Sequence, residues 1–231
     1  MTIIAFQLQA VRSRIERAAR EAHRTASEIA LLAVSKTFPA SYIEEAHAAG
    51  QRLFGESYAQ EGVKKVMALG GLPLEWHFIG PIQSNKTRLI AEHFDWVHSV
   101  DREKIAERLD AARPPDRPPL QVCIEVNVSG EATKHGVAPE ALADLARAVS
   151  GLPRLRLRGL MAIPEATPDV QAQRRQFGRV RVLRDELAAA GIPLDTLSMG
   201  MSDDLEAAIA EGSTLVRVGT ALFGQRERIQ P

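Results

Sequence analysis

The chain has 231 residues, and its 29 lysines and arginines balance 29 aspartates and glutamates, so the formal net charge is zero. Neutrality removes the electrostatic argument for nucleic acid or an anionic membrane as a partner. Hydrophobic residues make up 45% and charged residues 25% of the chain, which is typical of a folded globular protein and excludes a largely disordered one.

The first 24 residues predict an amphipathic helix that packs on the rest of the chain. Apolar residues recur at helical spacing over 4–23. Arginines are frequent here, as in a mitochondrial presequence, but Glu16 and Glu21 interrupt them. No run approaches the roughly 20 apolar residues that span a membrane. We therefore expect a cytoplasmic protein.

Beyond this helix, short apolar runs alternate with longer amphipathic stretches. The apolar runs predict eight buried strands, at 30–34, 52–54, 75–79, 95–98, 121–128, 155–163, 194–198 and 214–218. The amphipathic stretches predict helices at 42–49, 60–69, 86–93, 101–112, 139–150, 170–190 and 203–210. Asp101 is expected to be the N-cap of the helix that it begins.

Strands that alternate with helices predict an α/β protein with a parallel sheet. A doubly wound open sheet shares this pattern, but eight strands favour a closed (β/α)8 TIM barrel. The helix at 4–23 would then cap the barrel or replace its last helix. The proline-rich segment 113–119 is too short to separate domains, so residues 1–231 are expected to form a single domain. The only cysteine, Cys123, lies in an apolar run and is expected to be buried.

The ends of the seventh and eighth predicted strands suit a phosphate group. Active sites of such barrels lie at the carboxyl ends of the strands, often with phosphate held after these two. The segments 198–204 and 218–224 both contain glycine and hydroxyl residues. Ser202 stands at the start of a predicted helix, where free N–H groups favour an anion. Either turn alone is explained by helix capping or chain reversal, but together they favour a phosphate site.

Lys36 ends the first predicted strand, where a barrel directs side chains into the site. A desolvated lysine has a lowered pKa and can attack a carbonyl, whereas an ordinary lysine at this place packs its stem on the core. A reactive lysine beside a phosphate site suits pyridoxal 5′-phosphate (PLP). A phosphorylated sugar in a Schiff-base aldolase fits the same two features.

Arg217 lies in the eighth predicted strand, two residues before Gly219. An inward Arg217 could pair with the phosphate or donate to the pyridine nitrogen of PLP. Because a guanidinium stays charged, the second role keeps that nitrogen unprotonated and promotes carbanion chemistry only weakly. An outward Arg217 in a surface ion pair is the alternative.

Seven short segments are distributed over nearly the whole chain, from residue 33 to 224. They read Ala33-Val-Ser-Lys-Thr37, Phe54-Gly-Glu56, Trp76-His-Phe-Ile-Gly80, Gln83-Ser-Asn-Lys86, Gly159-Leu-Met161, Ser198-Met-Gly-Met-Ser-Asp203, and Val216-Arg-Val-Gly-Thr220 with Phe223-Gly224. In these segments, which occur in the same order, the chain resembles the YggS/PROSC family of PLP homeostasis proteins.

This resemblance implies a fold-type III PLP barrel similar to the N-terminal domain of alanine racemase, with PLP held on Lys36 as an internal aldimine. It implies that Arg217 faces the pyridine nitrogen. The phosphate-binding positions of the family match Ser202, Gly219 and Thr220. Further positions near the cofactor match His77, Met161, Ser198, Met199 and Gly200.

The chain departs from the family at Ser57, in Gly55-Glu-Ser-Tyr58, where many members have asparagine. Serine keeps a donor and an acceptor but has a shorter reach. We expect a weaker or water-mediated contact with the cofactor, without loss of binding.

The resemblance also implies a function. Family members carry or regulate PLP, and so affect vitamin B6 and amino-acid balance, without an established catalytic activity. The expected partners are PLP, related B6 vitamers and PLP-dependent apoenzymes.

A weakly active amino-acid racemase is the alternative. Racemisation needs a second acid/base group opposite the lysine, which racemases of this fold take from a tyrosine of an additional β domain across a dimer. This chain has only Tyr42 and Tyr58, and no residues remain for such a domain, which favours a monomer. A Schiff-base aldolase would instead carry no bound chromophore.

Residues 80–87 resemble a P-loop, but Asn85 stands where the second glycine is needed, so a turn into a helix is expected. The six histidines show no metal-ligand spacing, and no metal site is expected. Lys134 and His135 follow the fifth strand and either contact an incoming amine or solvate a loop.

Overall fold

Eight parallel strands form a closed barrel in the computed structural model, which describes residues 2–131 and 135–225. Each strand pairs with the next along the chain, and β1 pairs with β8 to close the barrel. The strands are β1 Ala30–Val34, β2 Leu53–Glu56, β3 Glu75–Phe78, β4 Trp96–Val100, β5 Leu120–Glu125, β6 Leu155–Met161, β7 Thr196–Ser198 and β8 Leu215–Val218. The predicted (β/α)8 TIM barrel is confirmed.

Helices follow the strands and surround the barrel. They are α1 Ile3–Glu21, α2 Ala40–Ala48, α3 Ala59–Ala68, α4 Thr87–His93, α5 Glu103–Ala112, α6 Leu142–Ser150, α7 Val170–Ala189, α8 Leu205–Ala210 and α9 Thr220–Phe223. Short 3-10 turns lie at Ala26–Glu28, Ser84–Lys86 and Pro139–Ala141. None of these described helices has the length and apolar character that crossing a bilayer requires.

Helix α1 takes the place of a long eighth helix in the outer ring. It packs against α2, α8 and α9, and its apolar stripe, which includes Ile4, Leu8 and Ile15, is buried. The chain leaves β8 through a helix of only four residues, which is too short to cover the neighbouring strands. Of the two positions expected for this segment, replacement of the last helix is therefore confirmed.

Two predicted helix starts are wrong. Asp101 does not cap α5: the N-cap is Arg102, and the Asp101 carboxylate instead accepts hydrogen bonds from the Arg102 guanidinium. Helix α8 begins at Leu205, so Ser202 lies in the turn before it. There the Asp204 carboxylate accepts a hydrogen bond from the Met201 N–H, which pulls the turn away from helical geometry.

Strands five and six end earlier than predicted. After Glu125 the chain leaves the sheet, and Val126 pairs with Val137 in an isolated bridge. This contact draws the loop after β5 over the end of its own strand. Cys123 is buried as expected, and burial raises the pKa of its thiol to about 12.

The apolar core lies between the sheet and the helices, whereas several polar side chains point into the barrel. Val97 of β4 and Leu109 of α5, for example, are both fully buried in the core. A hydrogen bond joins His98 of β4 to Ser198 of β7. Because β5 and β6 separate these strands, the two side chains meet inside the barrel.

Candidate functional site

Two adjoining cavities open at the carboxyl ends of the strands, and Lys36 lines both. The smaller has a volume of about 190 Å³ and the larger about 780 Å³. Six of the predicted cofactor-binding residues line the smaller cavity: Lys36, Ser57, Ser202, Arg217, Gly219 and Thr220. These residues come from the ends of β1, β2, β7 and β8, as the barrel geometry predicts.

The turns after β7 and β8 form a cradle that suits an anion. The backbone N–H groups of Ser202 and Asp203 have no hydrogen-bond partner among the described residues. At the start of α9, the N–H groups of Thr220 and Ala221 likewise have no acceptor among the described residues, whereas those of Leu222 and Phe223 donate to the Gly219 carbonyl. A Cβ atom at Gly219 would lie 3.2 Å from the Val34 carbonyl oxygen. Glycine therefore keeps this part of the cradle open, and the donor set fits a phosphate group.

The turn that carries Lys36 is held from below by buried charged side chains. Lys65 Nζ donates to the Ser35 carbonyl oxygen at 2.8 Å and to Glu56 Oε1 at 2.8 Å. Ser35 Oγ donates to the same Glu56 oxygen at 2.6 Å. On the other side of Lys36, the Thr37 N–H donates to a glutamate of α3 at 2.6 Å, and the φ angle of Thr37 is +69°.

This cluster was missed by the sequence analysis, although its glutamate lies in the Phe54-Gly-Glu56 segment that carried the resemblance. Burial raises the pKa of Glu56, and the neighbouring Lys65 opposes that rise. The Glu56 carboxylate is fully buried, and its Oε2 has no partner among the described residues. The environment therefore only partly compensates the charge of Glu56.

Arg217 points into the barrel, so the outward alternative is excluded. It is buried, and its Nη1 donates to Ser198 Oγ at 2.8 Å while its Nη2 donates to the Ala162 carbonyl oxygen at 3.0 Å. Nη1 also donates to the Ser198 carbonyl oxygen. Burial lowers the pKa of Arg217 to about 10, against the pull of Glu125, so the guanidinium remains charged at neutral pH.

A row of hydrogen bonds continues from Ser198 through the barrel. His98 Nδ1 lies 2.8 Å from Ser198 Oγ, and His98 Nε2 lies 2.9 Å from His77 Nδ1. His77 Nε2 lies 2.9 Å from Glu75 Oε1 at the amino end of β3. Both imidazoles are fully buried, and the His77 ring stacks on Trp96 with a centroid separation of 5.4 Å.

Five predicted cofactor-binding residues line neither cavity: His77, Met161, Ser198, Met199 and Gly200. His77 and Ser198 lie below the cavities in the row just described, and the Met199 side chain lies in the apolar core. Gly200 has a φ angle of +95°, and a Cβ there would lie 2.5 Å from Ala208 Cβ. Its carbonyl accepts a hydrogen bond from the Arg217 N–H. The structure thus places these residues behind the ones that face the cavity.

The larger cavity is also lined by residues of the P-loop-like segment 80–87 and of the loop after β5. Gly80 and Lys86 line it, and residues 84–86 form a turn into α4 rather than a P-loop, as predicted. His135 also lines it, whereas Lys134 lies outside the described residues. Tyr58 is 56% exposed at its rim. Within 2–131 and 135–225, no group of three acidic, histidine or cysteine side chains is placed to hold a metal ion.

The family model described as alanine racemase, N-terminal domain, matches residues 6–227. The fold is therefore an alanine racemase-like barrel, with a lysine after its first strand and an anion cradle after its last two. An alanine racemase of Clostridium difficile has the same fold, with a TM-score of 0.77 at 15% identity, over 96% of this chain and 56% of its own.

The chain belongs to the family of pyridoxal phosphate homeostasis proteins. Such a protein of Pseudomonas aeruginosa is 62% identical over 98% of this chain and 97% of its own length. One of Escherichia coli is 55% identical over 98% of both chains. The structure of PipY from Synechococcus elongatus with PLP bound has a TM-score of 0.84 at 40% identity, over 96% of this chain and 100% of its own. The resemblance seen in the sequence is therefore confirmed.

Proposed function

We propose that this protein binds PLP covalently through Lys36 and carries or regulates the cofactor, and so contributes to vitamin B6 and amino-acid homeostasis. One observation carries the proposal: Lys36, the anion cradle and the buried Arg217 all line the same cavity. PLP has an aldehyde for the first, a phosphate for the second and a pyridine nitrogen for the third. The family and the PLP-bound relative support the same ligand.

When bound, PLP supplies an aldehyde carbon that an amine can attack, with release of water as the imine forms. The residues of this chain do the rest. The N–H groups of the Ser202 turn and of the start of α9 bind the phosphate, with the hydroxyls of Ser202 and Thr220 as further donors. Arg217 donates to the pyridine nitrogen and keeps a proton away from it. Such a site binds PLP firmly while activating it little.

A weak racemase is the second candidate, and Tyr58 is the observation that favours it, because Tyr58 lines the larger cavity together with Lys36. Racemisation requires a second acid/base group opposite the lysine. Tyr42 does not suit this role, since it stacks on Phe38 with a ring separation of 5.6 Å. The permanent charge of Arg217 also opposes carbanion formation. We therefore place the carrier function first.

The test is the visible absorption spectrum of the protein with added PLP, beside two variants. Lys36→Ala should abolish the yellow band. Lys86→Ala removes another half-buried lysine of the larger cavity and should leave the band unchanged. A wild-type protein that stays colourless with excess PLP would overturn the assignment of PLP as the cofactor and would favour a Schiff-base aldolase instead.

Two further assays separate carrier from catalyst. Transfer of PLP to an apoenzyme, followed by the recovery of that enzyme's activity, is expected of a carrier. Racemisation of amino acids at a rate well above that of free PLP would support the second candidate, and Tyr58→Phe should then abolish it. We further propose a monomeric, cytoplasmic, single-domain protein. The closed barrel leaves no edge strand among those described, which rules out a dimer formed by strand pairing.

A further inference from the structure

The row of buried hydrogen bonds from Arg217 to Glu75 has one consistent direction. A guanidinium only donates, so Ser198 Oγ accepts from Arg217 and keeps its own hydrogen for His98 Nδ1. A neutral imidazole has one N–H, so His98 donates from Nε2 to His77 Nδ1. His77 then donates from Nε2 to the Glu75 carboxylate, which only accepts.

The charges along this row support that assignment. Burial lowers the pKa of His77, although Glu75 pulls against it. Burial lowers the pKa of His98 well below its usual value, and the nearby His77 and Arg217 lower it further. Both imidazoles are therefore neutral at pH 7. The hydrogen bond from His77 lowers the pKa of Glu75, which keeps that end anionic.

The hydrogen bonds that Arg217 makes inside the barrel determine which of its N–H groups remain available to a ligand. Of its five N–H groups, those on Nη1 bond the hydroxyl and the carbonyl of Ser198, and one on Nη2 bonds the Ala162 carbonyl. The N–H on Nε and the second one on Nη2 have no acceptor among the described residues. Since Arg217 lines the smaller cavity, these two are the donors that remain for a ligand there.

We propose that Ser198, His98, His77 and Glu75 are positioning residues that hold Arg217 with these two N–H groups presented to the pyridine nitrogen of the cofactor. The proposal rests on the proposed function, and it gives Ser198 and His77 a role other than contact with the cofactor. An arginine side chain has several rotatable bonds, so without the row it would sample other orientations in the cavity. Aligned hydrogen bonds also polarise one another, which strengthens each of them.

The direction of the row is testable without any cofactor. In protein labelled with ¹⁵N-histidine, both rings should show the neutral Nε2–H form at pH 7, with Nδ1 as a hydrogen-bond acceptor. The variants His77→Gln and His98→Gln assign the two sets of signals. An Nδ1–H form of His98 would reverse the row and overturn the proposal.

The link to the cofactor is tested at Ser198. Ser198→Ala should weaken PLP binding about tenfold and shift the absorption band of the bound cofactor. Ser198→Thr, which keeps the hydroxyl, should restore both towards the wild type. The control is Ser213→Ala: Ser213 is equally buried, but its Oγ bonds backbone carbonyls, that of Met199 at 2.7 Å. Its affinity for PLP should stay within about twofold of the wild type.

Three results would refute the positioning role. One is a wild-type affinity and spectrum in Ser198→Ala, and another is an equal loss of affinity in Ser213→Ala. The third is a failure of Ser198→Thr to restore either readout while it folds normally by circular dichroism. Absence of PLP binding by the wild type would instead refute the proposed function, and the ¹⁵N spectra would still report the direction of the row.

Discussion

Lys65, Glu56 and Ser35 form the buried cluster that supports the Lys36 turn. Within this cluster, replacement of Lys65 should lower the free energy of unfolding most. Lys65→Met keeps the length of the side chain but leaves the buried Glu56 carboxylate with the Ser35 hydroxyl as its only donor among the residues that the structure describes. Removing one partner of a buried ion pair costs about 3–5 kcal/mol. Burial already raises the pKa of Glu56, so this group can take up a proton and limit the loss. We expect a cost of about 3 kcal/mol, at the lower end of that range.

Glu56→Gln should cost less, about 1 kcal/mol. Lys65 keeps its bonds to Glu61 at 2.6 Å and to the Ser35 carbonyl at 2.8 Å. The amide oxygen can still accept a hydrogen bond, and the buried charge of Glu56 is removed. In the double variant the unpaired carboxylate is absent, so the two costs should be non-additive by about 1–2 kcal/mol.

Urea unfolding at pH 7 without PLP measures these free energies, provided that the m-value is unchanged. Lys64→Met is the matched control, since Lys64 is the exposed neighbour of Lys65 on α3, and it should change the free energy of unfolding by less than about 0.5 kcal/mol. An equal loss of stability in Glu56→Gln and Lys65→Met, or additive losses in the double variant, would contradict this role of the Lys65–Glu56 pair.

Burial raises the pKa of Glu125 from 4.5 to about 7, so the folded state holds a proton that the unfolded state releases. This group should therefore lower the free energy of unfolding by about 2.5 kcal/mol from pH 5 to pH 8. Denaturation at both pH values should show this fall reduced in Glu125→Gln, and an unchanged fall would exclude Glu125 as its source. In Gly219→Ala, the new methyl group meets the Val34 carbonyl and fills the anion cradle, so a fluorescence titration should show PLP binding at least about tenfold weaker; wild-type affinity would argue against the cradle. Ser57→Asn should bind PLP about threefold more tightly in the same titration, and an unchanged affinity and spectrum would contradict the expected loss of contact at Ser57.

The fold could be predicted because its signals are local. Each buried strand is a short apolar run and each helix an amphipathic stretch, and their number alone distinguished a closed barrel from an open sheet. The place of α1 could not be predicted, because the same apolar stripe serves a cap and an outer helix equally well. It was decided by the short α9, which leaves a gap in the ring.

The residues that line the smaller cavity were also predictable, whereas the row of hydrogen bonds that continues from Arg217 was not. Lys36, Arg217 and the cradle stand at strand ends, where the barrel geometry alone brings them together. The row below Arg217 depends on a contact between His98 and Ser198, which are 100 residues apart in the chain. No local spacing indicates such a pair, so the sequence alone could not predict that His77 and Ser198 belong to one row of hydrogen bonds.

Identifying the lysine that holds PLP would test the proposed function most directly. The protein is mixed with PLP, reduced with borohydride to make the linkage permanent, digested, and mapped by mass spectrometry. We expect the pyridoxyl group on the peptide that contains Lys36, and its loss in Lys36→Ala. Modification centred on another lysine, or undiminished modification in Lys36→Ala, would contradict it.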